Sequence, residues 1–147
     1  MQSLLDQKAY NEIQQRIADL KPETTPLWGK MNAGQMLKHC QRPLDIAVYE
    51  KDFGLKSNVL IRLLFKKSMY DDRPFMKNMP TPKGFKITET ADFNLERENL
   101  LKRVDAFYNV RDKKDWKPHP VFGKLTPEQW GKMQYKHLNH HLNQFKV

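Results

Sequence analysis

The segment from Thr126 to Phe145 constrains the rest of the chain more than any other. It opens with Thr126-Pro127-Glu128-Gln129, which reads as a helix start. Threonine caps free amides, proline suits the first helical position, and Gln129 can close a capping box. Residues four apart on a helix lie about 40° apart around its axis. His137 and His141 therefore project side by side, on nearly the face that carries Trp130, Met133 and Phe145. That face is expected to turn inward. Paired imidazoles on a buried face must be satisfied, either by a metal ion or by a hydrogen-bond network.

Such a helix needs partners of the same kind, and the sequence supplies them. Residues 3–20 carry Leu5, Ala9, Ile13, Ile17 and Leu20 at helical spacing, and Lys21-Pro22 ends the run. A loop at 21–31 follows. Asn32 can cap a second helix reaching Tyr49, with Gln35 closing its box. Its apolar stripe is Ala33, Met36, Leu37, Cys40, Leu44, Ala47 and Val48, and His39 flanks the stripe. Pro43 removes the bond to the carbonyl of His39. The apolar spacing continues beyond it, so the helix is predicted to be perturbed near His39 but not ended. Asp92 can cap another main helix running to Asn109, with Leu100, Leu101, Val104, Phe107 and Tyr108 on its apolar face.

Between these lies an irregular stretch, 50–91. Within it Ser57–Tyr70 is a short helix candidate mixing Val59, Leu60, Leu63 and Leu64 with Arg62, Lys66 and Lys67. A basic amphipathic helix can lie on a lipid surface or meet a partner. The commoner fate is packing on the bundle, and that is the expectation here. Residues 71–91 hold Pro74, Pro80, Pro82 and Gly84 and read as a long loop, a frequent cover for a site. The predicted fold is all-α. It is a four-helix bundle in one domain spanning 1–147, with a long excursion between its second and third main helices that contains a short extra helix. That crossover leaves room for an up-down-down-up order.

Composition narrows the functional classes. A net charge of +9 favours anionic partners, although the lysines are scattered and a solvated basic surface is the ordinary explanation. One cysteine, Cys40, excludes an intramolecular disulfide and fits a reducing, cytoplasmic location. No signal peptide is evident, and no stretch has the apolar length of a membrane span. Cys40 itself is expected to be a small core residue, and Trp28, Trp116 and Trp130 core anchors.

Three histidines suffice for a metal centre, since zinc, nickel and iron all accept imidazole. His137 and His141 give the local pair, and His39 is the best candidate for the third. His-x-x-x-His alone leaves hydrogen-bonded core or surface histidines as the commoner explanation. His140 lies about 60° from His137 and is expected beside the ligands rather than among them. His119, in Lys117-Pro118-His119-Pro120, is a candidate to shape the pocket mouth, to act as a fourth ligand or to shuttle protons.

Trp28-Gly29-Lys30-Met31-Asn32 through His39-Cys40 resembles the segment opening the second helix of the DinB/YfiT-like superfamily. His119-Pro120-Val121-Phe122-Gly123 followed by Lys136-His137-Leu138-Asn139-His140-His141 resembles one branch of that superfamily. The likeness spans nearly the whole chain. It implies a four-helix bundle with a metal held by His39, His137 and His141. It also implies a class that includes enzymes using a low-molecular-weight thiol. Metal-assisted hydrolysis is the other enzymatic option.

Leu138 and Asn139 stand where zinc proteases place a glutamate, so the usual carboxylate base is missing. The expected function is a metal-dependent transferase or hydrolase acting on a small anionic or thiol substrate. The alternative is a bundle that binds a metal or an anion without turnover. Specific nucleic-acid binding is not expected, for want of a helix-turn-helix or an aromatic-basic platform. A homodimer is left open.

Overall fold

The computed structural model describes residues 1–56 and 58–147. The chain is all-α and forms a helical bundle. The helices are α1 (Gln7–Asp19), α2 (Ala33–Tyr49), α3 (Val59–Phe65), α4 (Phe93–Asn109) and α5 (Pro127–Gln144). Single 3-10 turns occur at Lys67–Met69 and Lys83–Phe85. Among the described residues there is no strand, only an isolated bridge between His119 and Gly123.

The local start signals act as the sequence predicts. Asn32 and Gln35 form a reciprocal capping box, as do Thr126 and Gln129, and the Asp92 side chain accepts from the Leu95 amide. α1 starts later than predicted. Residues 3–5 lie against α5 instead: Leu4 is fully buried, its amide donates to the Gly131 carbonyl at 3.0 Å, and Ser3 and Leu5 flank Gly131. α2 runs through Pro43 to Tyr49. Leu44, Ile46 and Ala47 beyond it are buried, so the second half keeps its core face despite the lost backbone bond.

α1 and α2 each pack between α4 and α5, so the four long helices form a ring in the order α1, α4, α2, α5. Side-chain bonds give the directions. Gln2 and Tyr135 meet at one end of the α1–α5 pair, Arg16 and Asn143 at the other, so these two are parallel. Gln41 bonds Glu96 and Asp45 bonds Arg103, so α2 and α4 are parallel as well. Tyr10 with Asp105 and Gln7 with Tyr108 make α1 antiparallel to α4. His39 beside His137, with the Pro43 carbonyl beside Gln134, makes α2 antiparallel to α5. The order is up-down-down-up. Parallel neighbours need the chain carried back along a helix length of about 25 Å, and residues 50–92 do this.

Ile13, Ile17, Leu37, Leu44, Leu100, Val104, Phe107, Trp130 and Leu138 belong to one continuous core. Burying each large aliphatic side chain stabilises by about 1.5–3 kcal/mol, so this core, not any one polar site, maintains the bundle.

The excursion climbs over the groove between α2 and α5. Lys66 donates to the Lys124 carbonyl at 2.6 Å. The buried Lys136 ammonium then takes the Ser68 carbonyl at 2.5 Å and the Asp71 carboxylate at 2.7 Å. Phe75 packs against His140, and Phe85 reaches His39. Its helix departs from expectation. Ser57, the first residue of the expected segment, lies outside the described residues. α3 begins after Asn58, whose side chain caps it, and none of its residues is buried. The expected packing on the bundle does not occur. Six of its seven side chains are apolar, so spacing alone could not choose an inward face.

Candidate metal centre

His39 on α2 and His137 and His141 on α5 come together where these antiparallel helices face each other. Ring centroids are 5.1 Å apart for His39 and His137, 4.7 Å for His39 and His141, and 4.8 Å for His137 and His141. Each residue offers one ligand atom, and the three atoms lie within 4.8 Å of one another. The Nε2 atoms of His39 and His137 are 3.2 Å apart. Nitrogens sharing a tetrahedral ion at about 2.0–2.1 Å would be separated by about 3.3 Å.

The surrounding acceptors decide which nitrogen of each ring carries its proton. His39 Nδ1 lies 2.9 Å from the Phe85 carbonyl oxygen, so it donates and leaves Nε2 as a lone pair. His141 Nδ1 lies 2.8 Å from Gln144 Oε1. The Gln144 amide cannot be reversed without loss, because its Nε2 donates to the Trp28 carbonyl at 2.5 Å. His141 therefore also donates through Nδ1 and keeps Nε2 free. Ligand histidines typically show this pattern, with the outer N–H held by a carbonyl and the inner nitrogen directed at the ion. Gly29 makes room for it. Its φ is +81°, and a Cβ there would lie 2.7 Å from Gln144 Nε2.

His137 differs. Its Nδ1 is buried without a hydrogen-bond partner, although part of the residue reaches solvent. Burial, reinforced by the neighbouring imidazoles, holds its pKa well below the ordinary histidine value. Burial also lowers His39, and brings His141 down to about 3. The cluster is thus rich in lone pairs and poor in protons. That donor set suits a divalent cation of intermediate softness such as zinc, nickel or iron.

The other candidates separate clearly. His140 is not in the trio. Its ring sits 5.0 Å from His141, between Trp28 at 5.5 Å and Phe75 at 5.8 Å. His119 is not brought to the trio either. It stacks on Phe122 and packs against Trp130, and its Nδ1 accepts from the amides of Val121 and Phe122 at 3.1 and 3.2 Å. Cys40 is a core residue, with its thiol on Met36 and its pKa pushed up by burial. Trp116 and Trp130 are buried as expected. Trp28 is not a core anchor: it is partly exposed, with His140 on one side and the Lys77 ammonium 4.6 Å from its ring centre.

Sequence reasoning missed Phe85, Gln144 and Lys136. Gln144 had a signal, since it stands three residues after His141 on the same helix face. Phe85 had none, because any residue can present a carbonyl.

The profile of the family described as "Protein of unknown function (DUF1569)" matches residues 1–147, and the chain belongs to that family. No curated protein and no solved structure gives a significant match.

Proposed function

We propose that this protein is a metal-dependent enzyme of the DinB/YfiT type, in which the Nε2 atoms of His39, His137 and His141 hold a divalent zinc, nickel or iron ion. The reaction class is transfer of a low-molecular-weight thiol, or hydrolysis, on a small anionic or thiol substrate. One observation carries the reading: three imidazoles converge, and the outer nitrogens of two are committed to carbonyl oxygens. The ion would act as a Lewis acid, bringing a bound water or thiol toward ionisation near neutral pH.

The chain's own residues orient and admit. The Phe85 carbonyl and the Gln144 amide hold two rings in register. His140 packs on His141 with Trp28 and Phe75 against it, and the Lys77 ammonium over Trp28 puts a cation on this side of the cluster, which suits a carboxylate or thiolate. Three neutral ligands leave the ion's charge uncompensated, which again favours an anionic fourth ligand. The same feature, a donor set without a carboxylate, supports the second reading, in which the protein binds a metal or an anion without turnover.

The test is elemental analysis of protein prepared without a nickel column, together with His141→Ala and His140→Ala. About one ion per chain is expected in the parent. His141→Ala should lose it, while His140→Ala should keep most of it, with helical circular dichroism retained in both. Equal loss in the two would refute the ligand assignment. No bound metal after incubation with zinc, nickel, iron and manganese would refute the metal centre. Metal with neither thiol transfer to an electrophile nor hydrolysis of small ester and amide substrates would select the second reading.

A further inference from the structure

The α3 helix carries its amphipathicity reversed with respect to the bundle. Leu63 is 73% exposed, and Val59, Leu60 and Leu64 are each exposed by more than 60%. Ile61 and Phe65, at 42% and 40%, complete an apolar surface open to solvent. Contiguous apolar exposure of this kind marks an interaction surface.

The cations lie along one flank of this surface, toward the protein body. Arg62 and Lys66 are four residues apart and share one edge of the helix. Arg62 lies beside Gly123, and Lys66 bonds the Lys124 carbonyl. A cleft of about 510 Å³ beside the helix is lined by Arg62, Lys66, Lys67 and Lys124 together with Leu63, Tyr70 and Phe122, so the apolar surface and the cations adjoin there. From Phe53 to Tyr70 the sequence carries no acidic residue.

We infer that α3 docks the protein on the surface of an anionic phospholipid bilayer. The apolar side chains enter the headgroup–acyl boundary, and Arg62, Lys66, Lys67 and Lys124 meet the lipid phosphates. Interfacial helices sink by about 5–10 Å, roughly half to all of a helix diameter of about 10–12 Å. With the apolar arc submerged, the four cations sit just above it, at the level of the phosphates. A second copy of the chain fits less well. From Phe53 to Tyr70 neither copy would offer the other a carboxylate to pair with Arg62, Lys66 or Lys67. The surface does not span: among the described residues no helix is long and apolar enough to cross a membrane. The inference is independent of the metal centre.

The test uses the full chain and vesicles of phosphatidylcholine, alone or with about one-third phosphatidylserine, at low salt. The protein is expected to sediment with the serine-containing vesicles only. Leu63→Gln/Leu64→Gln keeps every charge and alters only exposed positions. It should bind at least about tenfold more weakly, since each leucine removed from water is worth that order of affinity. Leu63→Trp should shift its added emission to the blue on the same vesicles. Failure to sediment would overturn the inference. So would equal binding by the double variant, which would mean adsorption through net charge alone, or an unshifted tryptophan. A solution dimer dispersed by Leu63→Gln/Leu64→Gln would assign the face to a second copy instead.

Discussion

The turn at 119–123 and the cluster between α2 and α5 both bury neutral imidazole, yet they use it in opposite ways. In the turn, His119 Nδ1 receives two backbone amides, so its proton must sit on Nε2 and its lone pair is consumed by the fold. In the cluster, His39 and His141 give their Nδ1 protons to carbonyl oxygens and leave Nε2 facing a neighbour. Burial alone cannot separate a structural histidine from a ligand. The nitrogen that carries the proton can, and the partners around each ring reveal it.

The strongest way to break this contrast is to remove one ring from each region. His137→Ala should lower metal affinity by more than about a hundredfold, beyond the 10–100-fold typical of an outer-sphere change, while the fold survives on its apolar core. His119→Ala should do the reverse: metal retained, stability down by about 2–4 kcal/mol as two amides lose their acceptor. Metal titration and chemical denaturation of both variants provide the check. Equal metal loss would erase the distinction.

Acid should sharpen it next. Burial lowers the His119 pKa to about 4, below its unfolded value of about 6.5. The unfolded chain then binds the proton more readily. The contribution to stability is complete above about pH 6.5 and is lost as pH falls toward 4, amounting to at most about 3 kcal/mol. His119→Asn, which can still offer a side-chain oxygen to the turn, should show a flatter decline between pH 7 and 4.5 in thermal melts. An unchanged slope would mean that His119 does not stay neutral.

The smallest effect concerns orientation. Gln144→Ala removes the acceptor of His141 Nδ1 without touching a ligand atom. Metal affinity should fall by about 10–100-fold, with little change in helix content. Isothermal titration against His137→Ala as the reference would rank the two, and a loss as large as the ligand variant's would make Gln144 more than an orienting group.

What could be read from the sequence was whatever is decided within a few residues. Asn32, Asp92 and Thr126 cap their helices because capping is a contact over three positions. His137 and His141 were legible as a pair for the same reason. His39 stood out as the best third candidate from its place beside the stripe and Pro43, but only the family resemblance tied it to the pair, because its contact with His137 joins distant parts of the chain. Phe85 gives His39 a backbone oxygen and an edge-on ring contact, and its place in a long loop far along the chain gives neither contact a sequence signature. α3 was legible as a helix but not in its orientation, since a nearly uniform apolar surface defines no inward side. α1 begins only after Asp6, its N-cap, because Leu4 just before it gives its amide to α5.

Gln144 joins the Trp28 carbonyl to His141, and it can do so only because the neighbouring residue has no side chain. In aiming His141, the residue of the Trp28-Gly29 pair with the largest side chain acts through its backbone. The residue with none serves it through empty space. The tolerance of the two positions to substitution should therefore invert the usual ranking by size. Trp28 can change its ring and still present the carbonyl, whereas at Gly29 even a methyl group would displace the amide that aims the imidazole. The aim of His141 is stored partly as a volume that must stay vacant.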